Sequence, residues 1–253
     1  MKKLLLLILS ASFAPSFAYV SSNVAGQTGL IATPTARINW ENSGRDFGVT
    51  TGYTYFNNNA TYNVPQVNLS LFRRWEIGGA YNAAPGKDNN DALLHTKLRF
   101  SPWSGTGASE LAIGGSYQSL NSNPGTTAGQ VYLAATYQAS LFGMEADTTL
   151  VVGKTFGKSI PSGDVDFSMG FDLDFFPSLF KGYVRWLNEL ANYDYLYANA
   201  PTRALSRGAF NTGFRIPVLK HMSNLKFDVT IKMTDALDNE RGFGIGAVVG
   251  GSF

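Results

Sequence analysis

A transmembrane antiparallel β-barrel, all-β, with an even number of about twelve strands, is the fold this sequence predicts, and three observations predict it. From Asp46 to the end, apolar and polar residues alternate with period two, in runs of ten residues or more. Runs of that length cross a bilayer at a tilt, whereas no window of about 18 apolar residues follows the first twenty positions to suggest a spanning helix. The composition agrees: 27 Gly, 12 Tyr and 18 Phe accompany only 15% charged residues, a mixture suited to tightly packed strands and aromatic girdles. A secreted β-sandwich also alternates along its strands. The barrel is favoured because nearly every strand does so over a membrane-crossing length.

The chain opens with an address label. Lys2 and Lys3, an apolar run from Leu4 to Leu9 and a small-residue site at Ser16-Phe17-Ala18 read as a signal peptide spanning 1–18, cleaved after Ala18. Cleavage removes two lysines and takes the formal charge from +2 to 0, leaving no basic excess to attract nucleic acid. Cysteine is absent, so an exported chain has no disulfides to hold it. Residues 19–45 are the least regular part and form a separate N-terminal segment, periplasmic or capping the lumen. The barrel occupies 46–253.

Its strands are expected near 46–56, 62–72, 75–84, 92–103, 109–120, 129–141, 145–157, 165–176, 182–196, 204–218, 225–238 and 243–253. The eighth and eleventh carry the pattern best. Val165, Phe167, Met169, Phe171, Leu173 and Phe175 alternate with Asp166, Ser168, Gly170, Asp172 and Asp174. Leu225, Phe227, Val229, Ile231 and Met233 alternate with Lys226, Asp228, Thr230, Lys232 and Thr234. Connections after odd-numbered strands are longer and rich in Asn, Gly, Pro and Asp, as in Pro85 to Asp91 and Lys158 to Asp164. Most after even-numbered strands are tight, as at Arg73-Arg74 and Phe142 to Met144. Short periplasmic turns and longer outer loops account for this asymmetry. The stretch Trp186 to Tyr195 lacks clean alternation and admits a bulge or a short helical turn.

The last strand ends on an aromatic. Phe243, Ile245, Val249 and the terminal Phe253 share its greasier face, and this pattern resembles the C-terminal signal by which bacterial outer-membrane barrels are handed to their assembly machinery. The resemblance implies an outer-membrane location, with membrane lipid and that machinery as partners.

With the apolar face turned to lipid, parity assigns the lumen lining. It comprises Glu76, His95, Lys97, Arg99, Glu110, Asp166, Asp172, Asp174, Arg215, Lys226, Asp228 and Lys232. A Lys or Arg facing lipid near the midplane costs about 2–4 kcal/mol, which forces these groups inward. Such a lining describes either a polar channel or a closed, salt-bridged interior. The spacing does not choose between them.

Catalytic and cofactor readings are weak. His221-Met222-Ser223-Asn224 resembles the His-x-Ser-Asn element of the outer-membrane phospholipase A family, which implies a base and nucleophile two apart on one strand face. Strand counting places it instead in a short periplasmic turn, so no catalytic residue is assigned and the chain is not expected to be an enzyme. The glycines from Gly244 to Gly251 have a dinucleotide-like spacing, but no helix follows to present its N-terminus to a pyrophosphate. Asp172 and Asp174 share a face, but a solvated wall explains them better than a cation site. No metal and no cofactor are expected.

Gly29-Leu30-Ile31-Ala32-Thr33-Pro34-Thr35-Ala36-Arg37 resembles the GLI-x-TPTAR element of the YjbH family of exopolysaccharide-associated outer-membrane proteins, as does the style of Leu71 to Gly78. Members of that family are typically much longer than this chain. The resemblance implies a barrel connected with polysaccharide export. The functional expectation is a passive channel for polar solutes or an aid to exopolysaccharide export, with such solutes or glycans as partners. The alternatives are a non-conducting structural or surface-interaction barrel and, third, a lipid-modifying enzyme. Physically, Pro34 fixes an extended or turn geometry, and Leu30 and Ile31 are expected to fold against the barrel's inner rim.

Overall fold

A computed structural model describes residues 20–57, 61–83, 90–100, 109–120, 126–141, 143–157, 165–191, 208–237 and 241–253. Residues 1–19, where the signal peptide is expected, and much of the connecting loops lie outside the described residues. Twelve strands follow in order: β1 Phe47–Asn57, β2 Thr61–Leu71, β3 Trp75–Asn82, β4 Asp91–Phe100, β5 Ser109–Leu120, β6 Thr126–Leu141, β7 Met144–Gly157, β8 Asp166–Asp174, β9 Arg185–Ala191, β10 Ala209–Pro217, β11 Leu225–Thr234 and β12 Gly242–Ser252. Each strand pairs antiparallel with its sequence neighbours, and β1 pairs with β12 from Gly48↔Ser252 to Asn57↔Phe243, closing the barrel. Closure leaves no edge strand with unpaired N–H and C=O groups, the condition for a sheet to sit in hydrocarbon.

Period-two patterning explains both surfaces. On β6 and β7, Val131, Leu133, Leu150 and Val152 are exposed outward, while Gln130, Tyr132, Ala134, Thr149 and Val151 are buried inward. Exposed aromatics flank this apolar belt. Tyr53, Tyr81, Tyr117 and Phe156 lie toward one end, and Phe47, Trp75, Phe100, Tyr137 and Phe253 toward the other. Two such girdles mark the interfaces of a membrane barrel. Leu133, 57% exposed in the middle of β6, is where a charge meets the belt. Leu133→Arg is expected to destabilise the folded barrel by about 2–4 kcal/mol, measured by urea unfolding in lipid vesicles.

The structure revises several sequence boundaries. The eighth strand ends at Asp174 rather than 176, and a one-turn helix, α1 Pro177–Phe180, precedes β9. Phe176 and Lys181 flank it with left-handed φ values of 42° and 53°. Pro177 has no N–H for the ladder but suits the first helical turn, so the chain leaves the sheet there. Of the stretch Trp186 to Tyr195, where a bulge or helical turn is expected, Trp186 to Ala191 continue β9 in unbroken register, and residues 192–195 lie outside the described residues. Strand ten starts at Ala209 rather than 204, with residues 201–207 also outside the description. Strand six starts earlier, at Thr126, and strand four is described only to Phe100.

The β2–β3 turn carries left-handed φ at Phe72 (53°) and Arg73 (57°) without any glycine. Phe72 packs on Phe47 at 5.4 Å, and its N–H donates to the Asp46 carbonyl at 2.5 Å, contacts that hold the unfavourable conformation.

Candidate functional site

Residues 21–41 fill the lumen and are all buried, and the chain emerges at Asn42, Gly44 and Arg45, which are exposed. The segment folds on itself as a small hairpin, with isolated bridges Ser22↔Thr28 and Gly29↔Pro34. The Asn23 Oδ1 accepts from the N–H groups of Ala25 and Gln27, and its Nδ2 donates to the Ala32 carbonyl at 2.8 Å. This is the local turn chemistry of Asn. Gly26 takes φ 83° at the tip, where an added Cβ would lie 3.1 Å from the Gly79 carbonyl oxygen. The backbone hydrogen bonds of residues 20–43 run within the segment, and none reaches the backbone of a described strand.

The wall grips this hairpin with side chains. Glu189 accepts from the N–H groups of Ile31 (3.2 Å), Ala32 (2.8 Å) and Thr33 (3.0 Å), and from Asn211 Nδ2 at 2.6 Å. Arg215 donates to the carbonyls of Gly29 (2.8 Å) and Leu30 (3.1 Å) and pairs with Asp172 at 2.9 Å. Asp172 also holds Arg185 at 2.5 Å. Lys97 donates to the carbonyls of Thr28 and Thr35, both at 3.0 Å, and pairs with Glu76 at 3.4 Å. Glu76 in turn accepts from the Thr28 N–H at 2.8 Å and from its hydroxyl. Lys226 donates to Asn39 Oδ1 at 2.8 Å and to the Val20 carbonyl.

Apolar contacts seat the same hairpin. Leu30 and Ile31 pack on Leu187, while Ala36 sits on the small inward residues Ala112 and Ala134 with Tyr132 and Val151. Gly170 makes room for Leu30, since a Cβ there would lie 2.6 Å from Leu30 Cδ1. A void of about 10 Å³ lies between segment and wall, bounded by residues including Thr28, Leu30, Arg37, Asp172 and Arg215.

Toward the short-turn end, Arg37 meets Glu41 (3.2 Å), Asp147 (3.4 Å) and Glu110 (3.9 Å), and Arg99 bridges Glu41 (3.1 Å) and Glu110 (3.3 Å). Burial by itself opposes charge on Arg37, but the surrounding carboxylates of Glu41, Asp147 and Glu110 prevail and hold its guanidinium above the usual arginine range. Trp40 lies against β1 and β12 at Gly48 and Gly250, and the Lys226 ammonium stands 5.1 Å from its ring centroid. A cavity of about 400 Å³ opens here, lined by Val20, Trp40, Glu41, Asn42, Ser43 and the β10–β11 connection from Lys220 to Ser223.

The structure places the twelve parity-assigned residues as follows. Glu76, His95, Lys97, Asp166, Asp172, Arg215, Lys226, Asp228 and Lys232 are buried in the interior, and Arg99, Glu110 and Asp174 are partly exposed. Eight of these groups, Glu76, Lys97, Arg99, Glu110, Asp172, Arg215, Lys226 and, through a 4.0 Å contact with Glu76, His95, belong to the assembly around the N-terminal segment. Asp166 instead accepts from Gln130 and Thr155 near the opposite end, and Lys232 donates to Thr54 at 3.3 Å. Asp228, fully buried, has neither carboxylate oxygen hydrogen-bonded. Phe243, Ile245, Val249 and Phe253 are all exposed on the outer face or at the end of β12.

Five charged residues of this assembly are not in the parity set. Asp147 and Arg185 were within reach of the same rule, since Asp147 lies two before inward Thr149 and Arg185 two before inward Leu187. Glu189 lies in the stretch whose alternation fails. Arg37 and Glu41 precede the first strand, where no period exists to read. His221 and Ser223 line the 400 Å³ cavity, but no hydrogen bond joins them; His221 packs edge-on to Tyr183 at 5.8 Å. No metal-binding cluster occurs among the described residues.

No family model matches this chain. No curated protein matches its sequence either. Among solved structures it is similar to the KdgM porin, with a TM-score of 0.52 at 12% identity over 81% of this chain and 99% of that one. A KdgM porin in complex with disordered oligogalacturonate aligns over the same shares, with a TM-score of 0.51 at 11% identity. The Acinetobacter baumannii outer membrane protein Omp33 aligns over 83% of this chain and 98% of that one, at 11% identity and a TM-score of 0.44. At such identities the KdgM likeness shows a shared architecture: the chain is a twelve-stranded transmembrane β-barrel.

Proposed function

We propose that this chain is an outer-membrane channel for polar solutes whose lumen is kept closed by its own N-terminal segment. One observation carries the reading: a polar, charged wall is filled by a segment that shares no backbone hydrogen bond with any described strand. Such a segment can leave without opening the barrel, because the sheet's ladders do not depend on it. The apolar belt between two aromatic girdles supports the membrane location. Export by a cleaved 1–18 signal peptide and delivery by the assembly machinery through the β12 terminus complete the proposal. The GLI-x-TPTAR element is the core of the closing hairpin, so its resemblance to exopolysaccharide-associated proteins bears on the gate, and a glycan is a fitting solute. The KdgM porin's complex with oligogalacturonate adds a precedent for saccharide in this architecture. No enzymatic role is proposed.

The runner-up is a non-conducting structural barrel, favoured by the density of buried ion pairs around Asp172 and Glu76. Planar-bilayer recording separates the two. The intact mature chain is expected to be closed or to open rarely, and deletion of residues 29–36 to give steady, larger conductance steps. A deletion variant that folds, resists SDS and stays silent would leave only the structural reading.

A further inference from the structure

The side chains that hold residues 28–35 recognise them in a particular way. Lys97 and Arg215 each donate to two carbonyl oxygens, and Glu76 and Glu189 each accept from two or more N–H or O–H groups. Every partner on the segment is uncharged, either a peptide group or the Thr28 hydroxyl. Lys97 and Arg215 are themselves balanced on the wall by Glu76 and Asp172, so the grip is one of alternating donors and acceptors rather than of net charge. Leu187 adds an apolar patch in the same place, covered by Leu30 and Ile31.

We propose that the hairpin occupies a glycan-binding rail: with the segment displaced, Lys97, Arg215, Glu76 and Glu189 bind the hydroxyls of a neutral oligosaccharide, whose C–H faces lie on Leu187. The inference rests on the channel reading and names its solute. A sugar hydroxyl both donates and accepts, so it satisfies a wall of mixed sign that the peptide groups vacate. A polyuronate meets Glu189, which among the described residues has no cation within ion-pair distance, Arg215 being held at that distance by Asp172 instead, and so meets like-charge repulsion there. Neutral and acidic chains are thereby distinguished.

The full chain carrying Ile31→Asp tests this. The new carboxylate lies against Leu187 and beside Glu189, which expels the hairpin while leaving every wall residue in place. Single-channel recording is made with maltohexaose and with an oligogalacturonate of equal length. Expected are steady steps, current blocks by maltohexaose, blocks by oligogalacturonate weaker by about tenfold, and a further loss of about tenfold in maltohexaose affinity when Glu189→Ala is added. Steps that maltohexaose does not block, or that oligogalacturonate blocks more tightly, overturn the rail and leave the channel standing. A folded, SDS-resistant variant that never conducts overturns the channel and the rail together. Should Ile31→Asp not fold, Ile31→Asn, closer in volume, is read by the same outcomes.

Discussion

Glu189→Ala is expected to release the N-terminal hairpin from the lumen while the barrel stays folded. The substitution strands three buried N–H groups, of Ile31, Ala32 and Thr33, together with the Asn211 amide. Each unsatisfied buried donor costs roughly 1–3 kcal/mol, so the seated state loses several kcal/mol relative to a state in which water meets the same groups. Hydrogen exchange reads this directly. Amides of residues 31–33 should exchange at least about a hundredfold faster than in the wild type, the factor for about 2.7 kcal/mol. Ladder amides of β6 and β7 should be unchanged. Glu189→Gln retains an acceptor oxygen and should fall between the two. Equal protection of residues 31–33 in wild type and Glu189→Ala would show that Leu30, Ile31 and Leu187 seat the hairpin without help from the carboxylate.

Asp172→Ala should act on the barrel as a whole. Asp172 is the shared counter-charge for Arg185 and Arg215, both buried; among the described residues no other carboxylate is within ion-pair distance of either, with Asp147 and Asp174 farther from Arg185 and Glu189 farther from Arg215. Removing one partner of a buried pair leaves an uncompensated charge, typically a loss of about 3–5 kcal/mol. The expected result is a correspondingly lower urea midpoint for barrel unfolding in vesicles. A triple change of Asp172, Arg185 and Arg215 to apolar residues of similar volume should recover much of that loss, because it removes the stranded charges too. A single substitution that costs less than about 0.5 kcal/mol would mean that the two guanidiniums find water or carbonyls instead, and that the network is dispensable.

Much of the fold was legible because a membrane barrel repeats one rule along its length. Hydrocarbon outside and polar groups inside impose period two on each strand, and a charge on the wrong face is expensive enough to keep the parity readable. Where that rule is suspended, reading fails. Pro177 breaks the ladder, so strand eight ends at Asp174 rather than 176, and the connection read between 176 and 182 holds a turn of helix that alternation does not announce. The Phe72-Arg73 turn gives no glycine or asparagine signal, since Phe47 and Asp46 hold it through tertiary contacts. Glu189 sits on a strand whose outward face includes Trp186 and a buried Asn188, which blurs the contrast between faces.

The lumen divides the same way. Parity could list Glu76, Lys97 and Arg215 as inward, because that depends only on which face of a strand a residue occupies. It could not say what they bind, because their partners are peptide groups of residues 28–35, more than forty positions away at the nearest. Peptide groups are chemically identical at every position, so no side-chain pattern announces them. By itself, then, the sequence determined the closed, even-stranded barrel and the sign of each face, through the solvent that each face meets. The sequence left residues 19–45 either periplasmic or capping the lumen; the tertiary structure decided that residues 21–41 fill the interior, because filling depends on where an irregular hairpin lodges and not on any repeating preference of its residues.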